Sequence, residues 1–177
     1  MNRVYWLLIA ILLFAAIHEG AHAVTALFFG EFSAFHVRPY GFEVTYLTPV
    51  AERSGWPWAV MSGVSNLLTI LIGTALFAAR KRIASSSRAP VRKLGFWATA
   101  FFMLGDPFNL GIGPFLYNGD AMGIAVGLGV SRYAVQGVAF VILVVNRELV
   151  ARALLPAYGV STRHPLFWAA SWVRERR

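Results

Sequence analysis

His18-Glu19-Gly20-Ala21-His22 places two imidazoles four residues apart with a carboxylate between them, at the end of an apolar run, Val4 to Ile17, that holds no charge. On a helix of about 3.6 residues per turn, positions i and i+4 share a face, so both rings can address one ion while Glu19 sits beside them. Zinc takes neutral imidazole nitrogens, leaves a position for water and lowers the pKa of that water to roughly 7, while the intervening Glu serves as general base. His18 and His22 are therefore candidate metal ligands, Glu19 the candidate catalytic base, and Zn2+ the implied cofactor. The competing reading is a pair of histidines and a carboxylate hydrogen-bonded within a polar helix interface. Ionisable groups inside a membrane are costly and usually functional, which favours the chemical reading.

The elements that must hold these groups are apolar. The 177 residues are 58% hydrophobic and 14% charged, with a mean hydropathy of +0.60. An average soluble domain carries about 25% charge, so the composition points to a polytopic membrane protein. Sixteen Lys and Arg against eight Asp and Glu give +8. The basic residues cluster at the ends of apolar segments, where they set orientation and meet anionic headgroups; nucleic acid is the weaker partner. With no cysteine, disulfides and thiolate zinc sites are excluded, so ligands must come from His, Asp or Glu. The first segment lacks a small-residue cleavage signature and carries the histidines, so it reads as a retained span and not a removable signal peptide.

About 20 apolar residues span a bilayer. The expected fold is an all-α polytopic membrane protein with about four transmembrane helices, a short β-hairpin after the first, and a broken, partly extended stretch before the fourth. Spans are expected over 4–29, 56–79, from Leu94, and over 121–145. Phe35, Val37, Phe42, Val44 and Tyr46 alternate around Pro39-Tyr40-Gly41 and read as the hairpin. The third span looks helical to Asp106, after which Pro107, Gly111, Gly113 and Pro114 oppose a continuous helix to Tyr117. Broken backbone at membrane depth survives where it is buried or lines a cavity, so this stretch is a candidate wall of the site. Residues 1–155 would form the embedded core. Residues 156–177 would form a basic interfacial tail, with Leu166, Phe167, Trp168 and Trp172 beside Arg174, Arg176 and Arg177. Tyr5, Trp6, Trp56, Trp58, Tyr117, Trp168 and Trp172 fall near span ends, as an aromatic belt requires.

The basic loop from Arg80 to Lys93, Arg3 and the arginine-rich tail share one side of a four-span arrangement, which the positive-inside rule makes cytoplasmic, with both termini. An integral protein of the cell membrane is expected. His18 and His22 then lie roughly 20 to 27 Å from the cytoplasmic surface.

The HExxH in a membrane helix, the hairpin after it and two further stretches together resemble the site-2 protease family of intramembrane zinc metalloproteases. Ser62-Gly63-Val64-Ser65-Asn66 is similar to the family's Gly-Pro-x-x-Asn motif with Val64 in place of Pro. Phe108-Asn109-Leu110, Pro114 and Asp120 are similar to its Asn…Pro…Leu-Asp-Gly stretch. The resemblance implies a small member without the family's PDZ domain that hydrolyses peptide bonds in or near transmembrane segments. It makes Asp120 the third zinc ligand and a membrane-protein helix the substrate. Asn66 and Asn109 are candidate donors to the scissile carbonyl or its oxyanion, against a role in interhelical packing.

The residues themselves leave the third ligand open. Counted as a rod, the third span puts Asp106 about 18 Å from the cytoplasmic surface, near His18, and Asp120 at the outer interface. Depth favours Asp106, yet Arg132 comes out at about the same depth and could pair with it. Motif order favours Asp120, which reaches the histidines if the stretch from Pro107 to Asn118 dips into the protein. Two other functions stay open: a non-proteolytic zinc-binding membrane protein, and an ion- or proton-conducting one built on Asp106, Arg132 and the His-Glu-His groups.

Overall fold

The computed structural model describes residues 3–39, 41–117, 119–162 and 164–168. Helix α1 (Arg3–Phe28) leads into antiparallel strands β1 (Phe32–Arg38) and β2 (Gly41–Tyr46). Helices α2 (Trp56–Ala78), α3 (Arg80–Ala84), α4 (Ala89–Gly111), α5 (Gly119–Leu128) and α6 (Arg132–Leu149) follow. The chain is mostly helical, with the expected hairpin after the first helix. Among the described residues, Val4–Phe28 and Trp56–Ala78 are the helices long and apolar enough to cross a membrane.

The hairpin pairs Arg38 with Gly41 and Phe35 with Val44, as the alternation around Pro39-Tyr40-Gly41 requires. Its β2 face lies on the bundle, where Val44 closes an apolar cluster with Ala26, Trp58 and Met61. Trp58 and Trp6 are therefore buried, which removes both from the expected belt; Tyr5, Trp56, Tyr117 and Trp168 are exposed and fit it.

Helix α2 packs against α1, α4 and α5 and is the centre of the bundle. At Gly73 an added Cβ would lie 2.7 Å from the Phe102 carbonyl carbon, so α2 and α4 touch backbone to backbone. One turn from that crossing on each helix, Thr69 meets Asp106. Helix α4 does not end at Asp106 but runs through Pro107 to Gly111. Proline offers no N–H to the carbonyl four residues back. That carbonyl, of Met103, instead accepts from Asn146 Nδ2 on α6 at 2.7 Å.

After Gly111 the backbone turns inside the protein, with Gly113 and Pro114 buried, and α5 starts beside the middle of α2. Asp120 faces Asn66, Gly123 faces Ser62 and Gly127 faces Ala59, so α5 runs antiparallel to α2. An added Cβ would fall 1.9 Å from Ser62 Oγ at Gly123 and 2.1 Å from the Ala59 nitrogen at Gly127. This spacing of small residues lets two backbones approach closely, and the approach fixes the height of Asp120.

Three expectations need correction. The stretch 121–145 is not one helix: α5 stops at Leu128, Gly129 takes φ 66°, Val130 N–H bonds the Ala125 carbonyl, and Ser131 caps α6. That is a glycine C-cap followed by a serine N-cap, and it turns the chain through nearly half a circle because α6 returns along α4. The basic stretch from Arg80 to Lys93 is largely helical, since Pro90 suits the first turn of α4 and only Ser85–Arg88 lie between helices. Arg132 is half-buried at the start of α6 against the Tyr133 ring and does not pair with fully buried Asp106. In the tail, Pro165–Phe167 form a single 3-10 turn, with Phe167 packed beside Met103 and Leu154. Trp172, Arg174, Arg176 and Arg177 lie outside the described residues.

Gly127→Val should cost about 3 kcal/mol, the upper end of overpacking penalties, because the obstructing atoms are backbone. Gly137→Ala on α6, where an added Cβ meets nothing, should instead gain about 0.5–1 kcal/mol. Thermal unfolding of both variants in detergent checks the pair.

Candidate metal centre

His18 and His22 both lie on the buried face of α1. His18 Nδ1 is 3.1 Å from Asp106 Oδ2 on α4, and His22 Nδ1 is 2.7 Å from the Met61 carbonyl oxygen on α2. A carboxylate and a carbonyl only accept, so each ring keeps its proton on Nδ1 and turns an Nε2 lone pair inward. The two Nε2 atoms are 3.2 Å apart. Asp120 on the first turn of α5 brings Oδ2 to 3.2 Å from His18 Nε2 and Oδ1 to 3.3 Å from His22 Nε2.

Two facing lone pairs beside a carboxylate repel one another unless a cation lies among them. Ligand atoms of these three residues all lie within 4.8 Å of one another, so the group could hold a metal ion. A tetrahedral ion with ligands at about 2.0–2.1 Å would separate them by about 3.3 Å, which these edges match. Charge points the same way. Glu19, Asp106 and Asp120 cluster around the two rings, and among the described residues no Lys or Arg forms an ion pair with any of them.

The surroundings hold the triangle in place. Asn66, buried on α2, donates from Nδ2 to Asp120 Oδ2 at 2.9 Å and to the Ser62 carbonyl at 2.9 Å, which spends its amide protons on orienting a ligand. Ser65 Oγ lies 2.9 Å from His22 Nε2. Tyr46, at the end of β2, brings its hydroxyl to 3.3 Å from His22 Nδ1. Burial pushes the Tyr46 phenol above its usual range, so it stays neutral. Arg53 stacks over the Tyr46 and Trp58 rings at 4.9 and 4.5 Å and fixes both, and burial draws its guanidinium somewhat below the usual range.

Glu19 is half-buried, faced by the backbone of Val44 on β2. It lines a cleft of about 1040 Å³ with largely apolar walls, whose lining includes His18, Glu19, Asn109, Trp97, Leu143 and Arg147. Asn109 Oδ1 accepts from the Tyr117 hydroxyl at the rim of that cleft.

Of the residues singled out from sequence, His18, His22, Asp120, Glu19 and Asn66 converge, and Asn109 lies along the same cleft. Asp106 is beside them but outside the triangle: it holds Nδ1 of His18, on the ring edge away from the Nε2 that faces Asp120. His36 sits on β1 beside Thr45 and takes no part. The sequence assigns no site role to Thr69, Ser65, Tyr46 or the Met61 carbonyl. The serine and threonine lie one residue before and three after Asn66, and a helical turn around that asparagine was the one available signal. No protein family, curated protein or solved structure matches the chain.

Metal analysis of purified protein should find one divalent ion per chain, falling to background in His18→Ala, His22→Ala and Asp120→Ala. Chelation should lower the unfolding temperature, since an ion at 100 times its Kd contributes about 2.7 kcal/mol.

Proposed function

We propose that the chain is an intramembrane zinc metalloprotease similar to the site-2 proteases, which hydrolyses peptide bonds in or near transmembrane segments. The observation that carries this reading is the triangle of His18 Nε2, His22 Nε2 and an Asp120 oxygen, with Glu19 beside it on the wall of an apolar cleft.

In this reading α1, α2, the pair α4 and α5, and α6 make four crossings. Arg80, Lys81, Arg82, Arg88, Arg92, Lys93, Arg147 and Arg152 gather at one end of the bundle. At the other, Arg38, Arg53 and Arg132 balance Glu31, Glu43 and Glu52. The basic end is cytoplasmic, with both termini, and the metal centre lies in the outer half of the membrane.

Zinc, when bound by His18, His22 and Asp120, supplies a Lewis acid for the peptide carbonyl and acidifies a water. Glu19 takes the proton of the attacking water and returns it to the leaving amine. The low-polarity walls keep bulk water from competing and strengthen each charge interaction inside. Asn109, at the cleft rim with Tyr117, is the candidate donor to an oxyanion, a role worth about 3 kcal/mol. Asn66 serves the centre through Asp120, because its amide protons are already engaged. A substrate helix must unwind before its peptide bonds are accessible, and the β-hairpin beside Glu19 offers backbone to an extended segment.

A second reading, a non-proteolytic zinc-holding membrane protein, is favoured by buried Ser65, whose hydroxyl stands close enough to His22 Nε2 to close the fourth position.

In proteoliposomes the wild type should cleave a labelled transmembrane peptide. Glu19→Gln should lower turnover at least about 100-fold, the usual worth of a positioned base, with zinc content unchanged. Full turnover by Glu19→Gln rejects the mechanism; zinc-loaded wild type that cleaves no peptide and binds no hydroxamate supports the second reading.

A further inference from the structure

We infer that Asp106, together with Thr69, is the positioning acid of the metal centre: it fixes the tautomer and direction of His18 and adds negative charge behind that ring without coordinating. The inference rests on the metal reading above. Asp106 and Thr69 are fully buried, on α4 and α2, and neither faces the ligand triangle directly. One carboxylate oxygen, Oδ2, accepts from both His18 Nδ1 at 3.1 Å and the Thr69 hydroxyl.

A neutral imidazole carries its proton on either nitrogen. If His18 held it on Nε2, an N–H would point at the Asp120 carboxylate and no lone pair would be left for an ion. An acceptor-only group at Nδ1 excludes that form. The two histidines receive this help differently, His22 from the neutral carbonyl of Met61 and His18 from a charge. The charge has a reason. Glu19 is half-buried at the cleft and kept for the water, so a fully buried carboxylate one imidazole away adds compensating charge for a dication held by Asp120 without taking a coordination position. Thr69 locks the carboxylate in turn: its hydroxyl has one proton, and the carboxylate is a stronger acceptor than the Asn66 carbonyl 3.0 Å away. The close α2–α4 crossing at Gly73 and Phe102 sets the height at which these side chains meet.

Asp106 therefore acts through His18 and touches no reacting atom. Its other oxygen, Oδ1, is buried without a hydrogen-bond partner, so an Asn side chain can occupy the same space with its carbonyl at the Oδ2 position. This makes Asp106→Asn a test of charge at nearly constant shape.

The experiment uses the full chain in nanodiscs, zinc as the titrant against a competing chelator, and ring-15N histidine spectra of the zinc-free protein. Wild type should bind one zinc. Asp106→Asn and Thr69→Val should still bind one zinc but about 10–100-fold more weakly, the usual effect of removing an outer partner of a metal-bound His. The His18 ring should show the proton on Nδ1 in wild type and lose that preference in Asp106→Ala, while His22 keeps its own. Asp106→Asn and Thr69→Val that match wild type in both zinc affinity and ring spectra overturn the proposal. Loss of all zinc in Asp106→Asn, with the His18 tautomer unchanged, also overturns it, since Asp106 would then be a ligand. Wild type that takes up no zinc sinks the metal reading, and this one with it; normal loading beside indifferent variants sinks this one alone.

Discussion

Three carboxylates and two imidazoles share one region of this bundle, and among the described residues no Lys or Arg pairs with them. Carboxylates gathered in an apolar interior need a counter-charge close by. The arrangement is intelligible once a divalent cation is its counter-charge. Each surrounding contact then has a direction: Asp106 and the Met61 carbonyl set the rings, and Asn66 sets the third ligand.

Bringing a carboxylate to that point demands that a helix be broken within the bundle. Helix α4 alone passes the centre and presents Asp106 to the wrong edge of His18. The turn after Gly111 restarts a helix at the depth of Asn66, and glycines at 123 and 127 press it onto α2. Backbone groups freed by such breaks need partners away from water. Asn146 serves the carbonyl that Pro107 leaves open, and Gln136 Nε2 reaches the Gly111 carbonyl at 3.4 Å. Polar residues on α6 thus maintain the irregular backbone of its neighbour, which explains two buried amides far from the ligands.

Much of this was legible in the sequence, and the rest fails for identifiable reasons. The His18/His22 spacing and the hairpin alternation are local patterns, and local patterns fix local geometry. The reading that the stretch before Asp120 turns back into the protein holds only after Gly111, since Pro107 does not stop α4; the glycine and proline at 113 and 114 make the turn. Rod counting misled on depth. It gave Asp106 and Arg132 the same level, but the turn at Gly129–Ser131 restarts the chain as α6, so Arg132 lies at the first residue of that helix, far from the level of Asp106. That turn carries ordinary cap signals, hidden by the apolar run around it. Trp6 and Trp58 were read by position along the helix, whereas burial depends on which face the hairpin and the neighbouring helices cover.

A short helix in this position does more than shorten a lever. The first turn of α5 has backbone N–H groups without partners in their own helix, and the aligned peptide dipoles place partial positive charge there. Asp120 sits in that turn, so its carboxylate lies at the positive end of the helix. A span running unbroken past the same depth would offer only mid-helix backbone, with every N–H already bonded and no end of the dipole near the carboxylate. The break between α4 and α5 therefore supplies reach, charge and direction at once, which is why glycine and proline lie just before the ligand and glycine again just after it.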